Sequence, residues 1–204
     1  CPKVQKRFDK DYYKETRPDL NDKERTVLSD YDNAVLYNDS IVTAIIDKFQ
    51  KQDAIVIYVP DHGEEVYDGV HFYGRMHSTD VTARLAHAEF EIPMWVWASR
   101  KYRRSHPDIW RQVRASRKRP YMTDAMPYML MYLAGIECPQ YRDELNVLGD
   151  KYNAKRPRIL KHQADYDELM RKEKEEAAKK EAAAKKNSSG QISSKKKTNK
   201  RNKK

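Results

Sequence analysis

Asp61 and His62 stand side by side, followed by Gly63 and two further carboxylates, Glu64 and Glu65. A carboxylate and an imidazole are both ligands that zinc accepts, at roughly 2.0–2.2 Å. Neighbours on a turn can converge on one ion. A catalytic zinc takes three or more protein ligands, so any others must come from elsewhere. The plainer alternative is an Asp–His pair that only caps a turn. His62, His71, His77 and His87 all lie in one half of the chain. A lone histidine is more often a surface or packing residue than a ligand, which is the expectation for His71 and His87 taken singly.

The elements around the pair decide what it can do. Ala54 to Val59 is a short apolar run rich in β-branched residues, and reads as a strand buried on both faces of a parallel sheet with helices either side. Pro60 lacks the N–H a ladder needs and ends it. Gly63 lets the backbone turn sharply. The pair is thereby expected at the carboxyl end of a core strand, the edge where open α/β sheets bind ligands. Upstream, Ala34, Tyr37, Ile41, Ile45 and Phe49 recur three or four apart, widened by Val42 and Ile46, and predict a strongly buried helix over Tyr31–Gln50. Asp30 or Ser29 is its expected cap. Residues 1–30 read as a polar loop or short helix. Downstream, an irregular loop holds His71 and His77, a short helix covers Val81–Ala88, and Ile92–Ala98 forms a second buried strand with Trp95 and Trp97 in the core. Thr123 is expected to cap a helix whose buried stripe is Met126, Met129, Leu130, Leu133 and Ala134, with Gly135 as its stop. Residues 137–165 read as irregular.

The Asp61-His62-Gly63-Glu64 run after a buried strand resembles the sulfatase-like branch of the alkaline phosphatase superfamily. The Tyr31-Asp32-Asn33 run on the preceding helix and the strand Glu91-Ile92-Pro93-Met94-Trp95-Val96-Trp97 are similar to the phosphoethanolamine transferases of bacterial envelopes. The Thr123-Asp124 helix ending Leu133-Ala134-Gly135-Ile136 resembles a late helix of sulfatase-like domains. The resemblance covers about residues 5 to 170. It implies an α/β fold, a partial three-layer sandwich over residues 1–166, ahead of a basic tail over 167–204. It also implies Asp61 and His62 as metal ligands and zinc, one or two divalent ions, as cofactor. A substrate-binding histidine lies some dozen residues past the pair in that family. His77, a little farther on, is the nearest match and His71 the competitor.

The family's threonine nucleophile and glutamate ligand have no counterpart here. None of Thr16, Thr26, Thr43, Thr79, Thr82 or Thr123 sits in the required context. The chain opens on Cys1, and the expectation is the C-terminal portion of a longer enzyme with the nucleophile upstream. Such a parent would move phosphoethanolamine from a phospholipid donor to lipid A or another envelope glycan. It would sit in the bacterial inner membrane with its catalytic domain in the periplasm. The chain by itself is expected to be inactive. A sulfatase or phosphodiesterase of the same fold would use overlapping ligands, and a non-catalytic polybasic interaction protein is a reading from a different class.

Charge separates the chain into two parts. Arg171 to Lys204 holds 14 Lys/Arg against 4 Asp/Glu, which accounts for the whole net charge of +10. The preceding residues are balanced, with 27 of each sign. Glu, Lys and Ala from Asp167 to Lys186 predict a solvated helix with i,i+4 ion pairs. Residues 187–204 have the composition of a disordered segment. The tail is either a solubilising extension or a contact for phosphate-rich anionic surfaces. A second basic run holds Arg100, Lys101, Arg103, Arg104, Arg111, Arg114, Arg117, Lys118 and Arg119, interleaved with Tyr102 and Trp110. The preferred reading is an amphipathic surface helix whose cationic stems cover apolar surface. A nucleic-acid patch and a face for anionic lipid headgroups are the alternatives. Nucleic acid is not the expected partner. Two cysteines make no disulfide framework, and no apolar run approaches a membrane span.

Overall fold

Helix α1 spans Asp22–Phe49 and begins nine residues before the expected start. The reason is a capping box: the Asn21 side chain accepts from the Lys23 and Glu24 backbone N–H groups, and the Glu24 carboxylate accepts from Asn21 N at 2.8 Å. That satisfies donors the first turn leaves orphaned. Asp30 and Ser29 therefore lie inside the helix. The computed structural model describes residues 6–76 and 80–182. In chain order β1 (Ile55–Tyr58), β2 (Glu65–Val66), β3 (Tyr73–Gly74), α2 (Ala83–Leu85), a π-helical turn Ala86–Phe90, β4 (Trp95–Ala98), α3 (Arg100–Ser105), α4 (Pro107–Ser116), α5 (Met126–Leu133), β5 (Ile159–Leu160) and β6 (Ala164–Asp165) follow. No helix of the described residues is long and apolar enough to cross a membrane.

The chain divides into two compact units, residues 1–79 with 85–156 and residues 80–84 with 157–204. In the first, β1 pairs with β4 antiparallel, Ile57 opposite Val96 and Tyr58 opposite Trp95. The expected parallel pairing is corrected. An apolar β-branched run reports burial on both faces and carries no information about strand direction. Alternation along the strands places Ile57 and Val96 on one face, and both pack on a core of Val113 from α4, Met129 from α5, Val147 and Leu148. Tyr58 and Trp95 lie on the opposite face, stacked at 5.2 Å between ring centroids. There Asn38 of α1 donates to the Tyr58 hydroxyl at 2.9 Å. Helices on both faces of a sheet are the layering of a sulfatase-like α/β fold.

Ser99 joins these layers. Its buried hydroxyl donates to Gln52 O at 2.6 Å and accepts from Tyr102 N at 3.0 Å, capping α3, while Ser99 N donates to Ala54 O at 2.9 Å. Asn33, buried in α1, accepts from Arg7 N and Phe8 N and donates to Phe8 O, which pins the N-terminal segment to the helix. The expected apolar stripe of α1 is not strongly buried: Ile41 is 42% exposed and Ile45 43%. The buried residues of α1 are Ser29 and Asn33.

Helix α5 has its expected core residue in Met129, but Thr123 does not cap it. Thr123–Ala125 is a 3-10 turn without a side-chain cap, and Leu130 is exposed. Gly135, at φ 65°, ends the helix as expected. The second unit holds the antiparallel β5–β6 hairpin and a helix over residues 166–182. Arg158 links the two by an ion pair with Asp167 and by stacking 4.3 Å from the Tyr166 ring centroid. Arg171 pairs with both Glu168 and Glu175, the i,i+3 and i,i+4 support expected of a solvated helix. The segment from residue 187 onward lies outside the described residues.

Candidate functional site

Strand β1 delivers Asp61 and His62 beyond Pro60, at the carboxyl end of the strand. The Asp61 carboxylate is 90% exposed and the His62 ring 38%, so both donors face solvent. His62 Nε2 lies 3.7 Å from Asp61 Oδ2. Two donors on one tetrahedral zinc, each at the usual bond length, stand about 3.4 Å apart. The observed separation is within reach of that by a small side-chain rotation. His62 Nδ1 is 2.8 Å from Gly63 O. A carbonyl can only accept, so Nδ1 carries a proton, and in the neutral ring Nε2, on the Asp61 side, is the nitrogen that could bind a metal. Histidines that ligate metals are held in this way, their other ring nitrogen donating to a carbonyl or carboxylate. The donor set therefore fits a divalent cation in type and spacing. Among the described residues no third His, Cys, Asp or Glu joins them in one cluster.

The loop is clamped from beneath. Gly63 N donates to Glu89 O at 3.0 Å, in the π-helical turn. A Cβ at Gly63 would lie 2.2 Å from Ala88 O, closer than any side chain can approach backbone. Gly63 is thus required for the close approach of two backbones, and not for a left-handed turn, since the positive-φ glycines are Gly69, Gly74 and Gly135. π-Helical turns of this kind concentrate at functional sites. Glu89 is buried, and its Oε1 accepts from Met76 N, so one residue holds Gly63 through its carbonyl and Met76 through its carboxylate. Glu65, fully buried in β2, is the second carboxylate drawn inside near the loop. Sequence reasoning missed Glu89. Ala88 and Phe90 beside it are apolar, but His87 in the same turn is polar too, so no local pattern marks Glu89 as the buried one.

The remaining predicted residues divide. His71 Nδ1 lies 2.9 Å from Glu24 Oε1, the carboxylate of the α1 capping box. Arg17 donates to Tyr67 O at 2.7 Å, and Leu20, Val66 and Tyr67 share a small core with Val27 and Leu28. The segment carrying His71 is thus the β2–β3 hairpin, with Tyr67 at φ 62° and Gly69 at φ 82° in its turn, and not the expected irregular loop. His71 tethers it to α1. His87 pairs with Glu91 at 2.8 Å across one helical turn. His77 lies outside the described residues.

With these elements in place, the chain belongs to the sulfatase family: the family's sequence model, described as Sulfatase, matches residues 1–136. Within it the similarity runs to phosphoethanolamine transferases. The Escherichia coli K12 phosphoethanolamine transferase EptC is 30% identical over 165 residues, 74% of this chain and 26% of that protein. The Kdo(2)-lipid A phosphoethanolamine 7''-transferase of the same strain is 38% identical over 77 residues, 37% of this chain and 13% of that protein. The crystal structure of the C-terminal periplasmic domain of EcEptC from Escherichia coli in complex with Zn matches at a TM-score of 0.65 and 30% identity, covering 83% of this chain and 47% of that one. The chain therefore spans about a quarter of the length of the EptC protein and under half of its solved domain.

Proposed function

We propose that this chain forms the C-terminal part, residues 1–166, of the catalytic domain of a phosphoethanolamine transferase acting on lipid A or another envelope glycan, with residues 167–204 as its tail. The observation that carries the reading is the His62 ring, fixed through Nδ1 on Gly63 O with Nε2 turned toward the Asp61 carboxylate. In this reading Asp61 and His62 hold zinc, as one or two divalent ions. When bound, the ion would lower the pKa of a hydroxyl nucleophile and neutralise charge on the phosphoryl oxygens. Gly63 and the π-helical turn keep the two donors together, Glu89 holds the strand of chain that leads toward His77, and His77 would bind the substrate's phosphoryl group.

The nucleophilic threonine and a glutamate ligand would come from chain preceding this sequence. The apolar stripe of α1, exposed at Ile41, Ile45 and Phe49, supports a further layer of protein packing there. The phospholipid donor and a periplasmic location follow from the same reading. Titration of the 204-residue chain with zinc tests it. We expect weak 1:1 binding that is lost in Asp61→Ala and in His62→Ala while the circular dichroism spectrum stays unchanged. Unaltered binding in both variants would remove the metal assignment. In the full-length parent, Asp61→Ala should abolish transfer of phosphoethanolamine.

A further inference from the structure

Between Arg100 and Lys118 the chain carries eight Lys/Arg against one acid, Asp108, although residues 1–170 are balanced overall. Helix α4 buries Val113 and Ser116 and packs Ile109 and Trp110 against the core, so its cations are left on the outer side. Arg111 pairs with Asp108. Among the described residues Arg104, Arg114, Arg117 and Lys118 are exposed and enter no ion pair. Arg119, next in sequence, instead turns inward to donate to Val147 O at 2.7 Å and Gly149 O at 2.6 Å.

The surface these cations line is an open depression of about 680 Å³ beside Trp110, with Arg111, Arg114, Arg117 and Lys118 around it. An enclosed pocket would select a small molecule. An open basic depression with an indole at its edge suits an extended anionic surface instead. Uncompensated like charges repel one another, and a layer of anions relieves that. A Trp ring with one apolar and one polar side settles at the headgroup level of a bilayer, with Lys and Arg on the phosphates.

We infer that the outer face of α3 and α4 docks on the phosphate-bearing anionic headgroups of a bilayer surface. The choice of lipid over nucleic acid rests on the transferase reading above, but the contact needs no turnover and is tested without it. This places an anionic contact in the folded part of the chain, separate from the tail.

The test uses the whole 204-residue chain, so that the tail's charge is common to every variant. Binding is measured to phosphatidylcholine vesicles containing about 30% phosphatidylglycerol, at about 0.1 M salt. The triple variant R114E/R117E/K118E is compared with K23E/K48E/K51E, which changes the net charge equally at exposed positions of α1 and the loop after it. The α4 triple is expected to weaken partitioning at least about tenfold and the control triple less than about threefold. The neutral triple R114Q/R117Q/K118Q, with an unchanged thermal transition, guards against a folding defect and should lie between. Equal losses in the two charge-reversed triples, or none in either, would overturn the inference by leaving binding to net charge or to the tail. Loss of duplex oligonucleotide binding with vesicle binding intact in the α4 triple would overturn it in favour of nucleic acid.

Discussion

Two residues decide whether the Asp61–His62 pair is held or left to wander. Gly63 sits where any Cβ would strike a backbone carbonyl, and a carbonyl in a π-helical turn cannot move aside as a side chain would. Gly63→Ala is therefore expected to destabilise the chain by about 1–3 kcal/mol, the usual cost of overpacking. Urea unfolding measures it. Glu89 acts through two different groups, its carbonyl on Gly63 and its carboxylate on Met76 N. Only the second is lost on substitution. Glu89→Ala should cost about 1–3 kcal/mol, and Glu89→Gln, which keeps a side-chain oxygen for Met76 N, clearly less. If the two variants were equally stable, the carboxylate would hold nothing. His71 is a counterexample to reading every histidine near the pair as a ligand, since its ring is engaged by the α1 capping box.

At the scale of elements, α1 is the beam from which the hairpin and β1 are hung. Its start is set by the Asn21–Glu24 box, and the same Glu24 carries His71. Backbone donation from Asn21, and then His71, hold the Glu24 carboxyl below its ordinary range. Asn21→Ala is expected to cost about 1 kcal/mol, the typical value of an N-cap. It should also loosen the β2–β3 hairpin, visible as faster amide hydrogen exchange at Tyr67, whose N–H donates to Phe72 O at 2.9 Å across the hairpin turn. Exchange unchanged at Tyr67 would show that the hairpin is held by Leu20, Val66 and Arg17 alone.

At the scale of the whole molecule, two tyrosines tie stability to alkaline pH. Burial, and then a hydroxyl bond to Asp32, push Tyr13 well above the ordinary phenol value. Burial does the same to Tyr121, whose buried hydroxyl has no hydrogen-bond partner among the described residues. Both folded-state values are raised. The stabilisation is thus complete below the unfolded phenol value, about 10, and is lost as pH rises toward the folded values. The thermal transition should fall steadily above pH about 10. Tyr121→Phe removes an unsatisfied hydroxyl, so it should leave stability at neutral pH unchanged or raise it by up to about 1 kcal/mol, and flatten the alkaline decline. A marked loss at neutral pH would mean that the hydroxyl is satisfied after all.

Local chemistry was legible in the residues themselves. Pro60 ends β1, Gly135 ends α5, and the tail's Arg171–Glu175 and Glu168–Lys172 pairs form as their spacing dictates, because each depends on groups within a few residues of one another. The placement of Asp61 and His62 just past the end of β1 was legible for the same reason. Strand direction was not, since an apolar run looks alike in parallel and antiparallel pairing. The burial of α1 was overstated because periodicity marks which face is apolar without saying whether anything covers it. The capping box was present in Asn21 and Glu24 but was outweighed by an apolar stripe that starts later. Val147 and Leu148, in a stretch without period, became core only because Val113 of α4 and Met129 of α5 pack on them. Glu89 and the requirement for Gly63 arose from one backbone passing close to another, a contact between residues some 26 positions apart that no local pattern encodes.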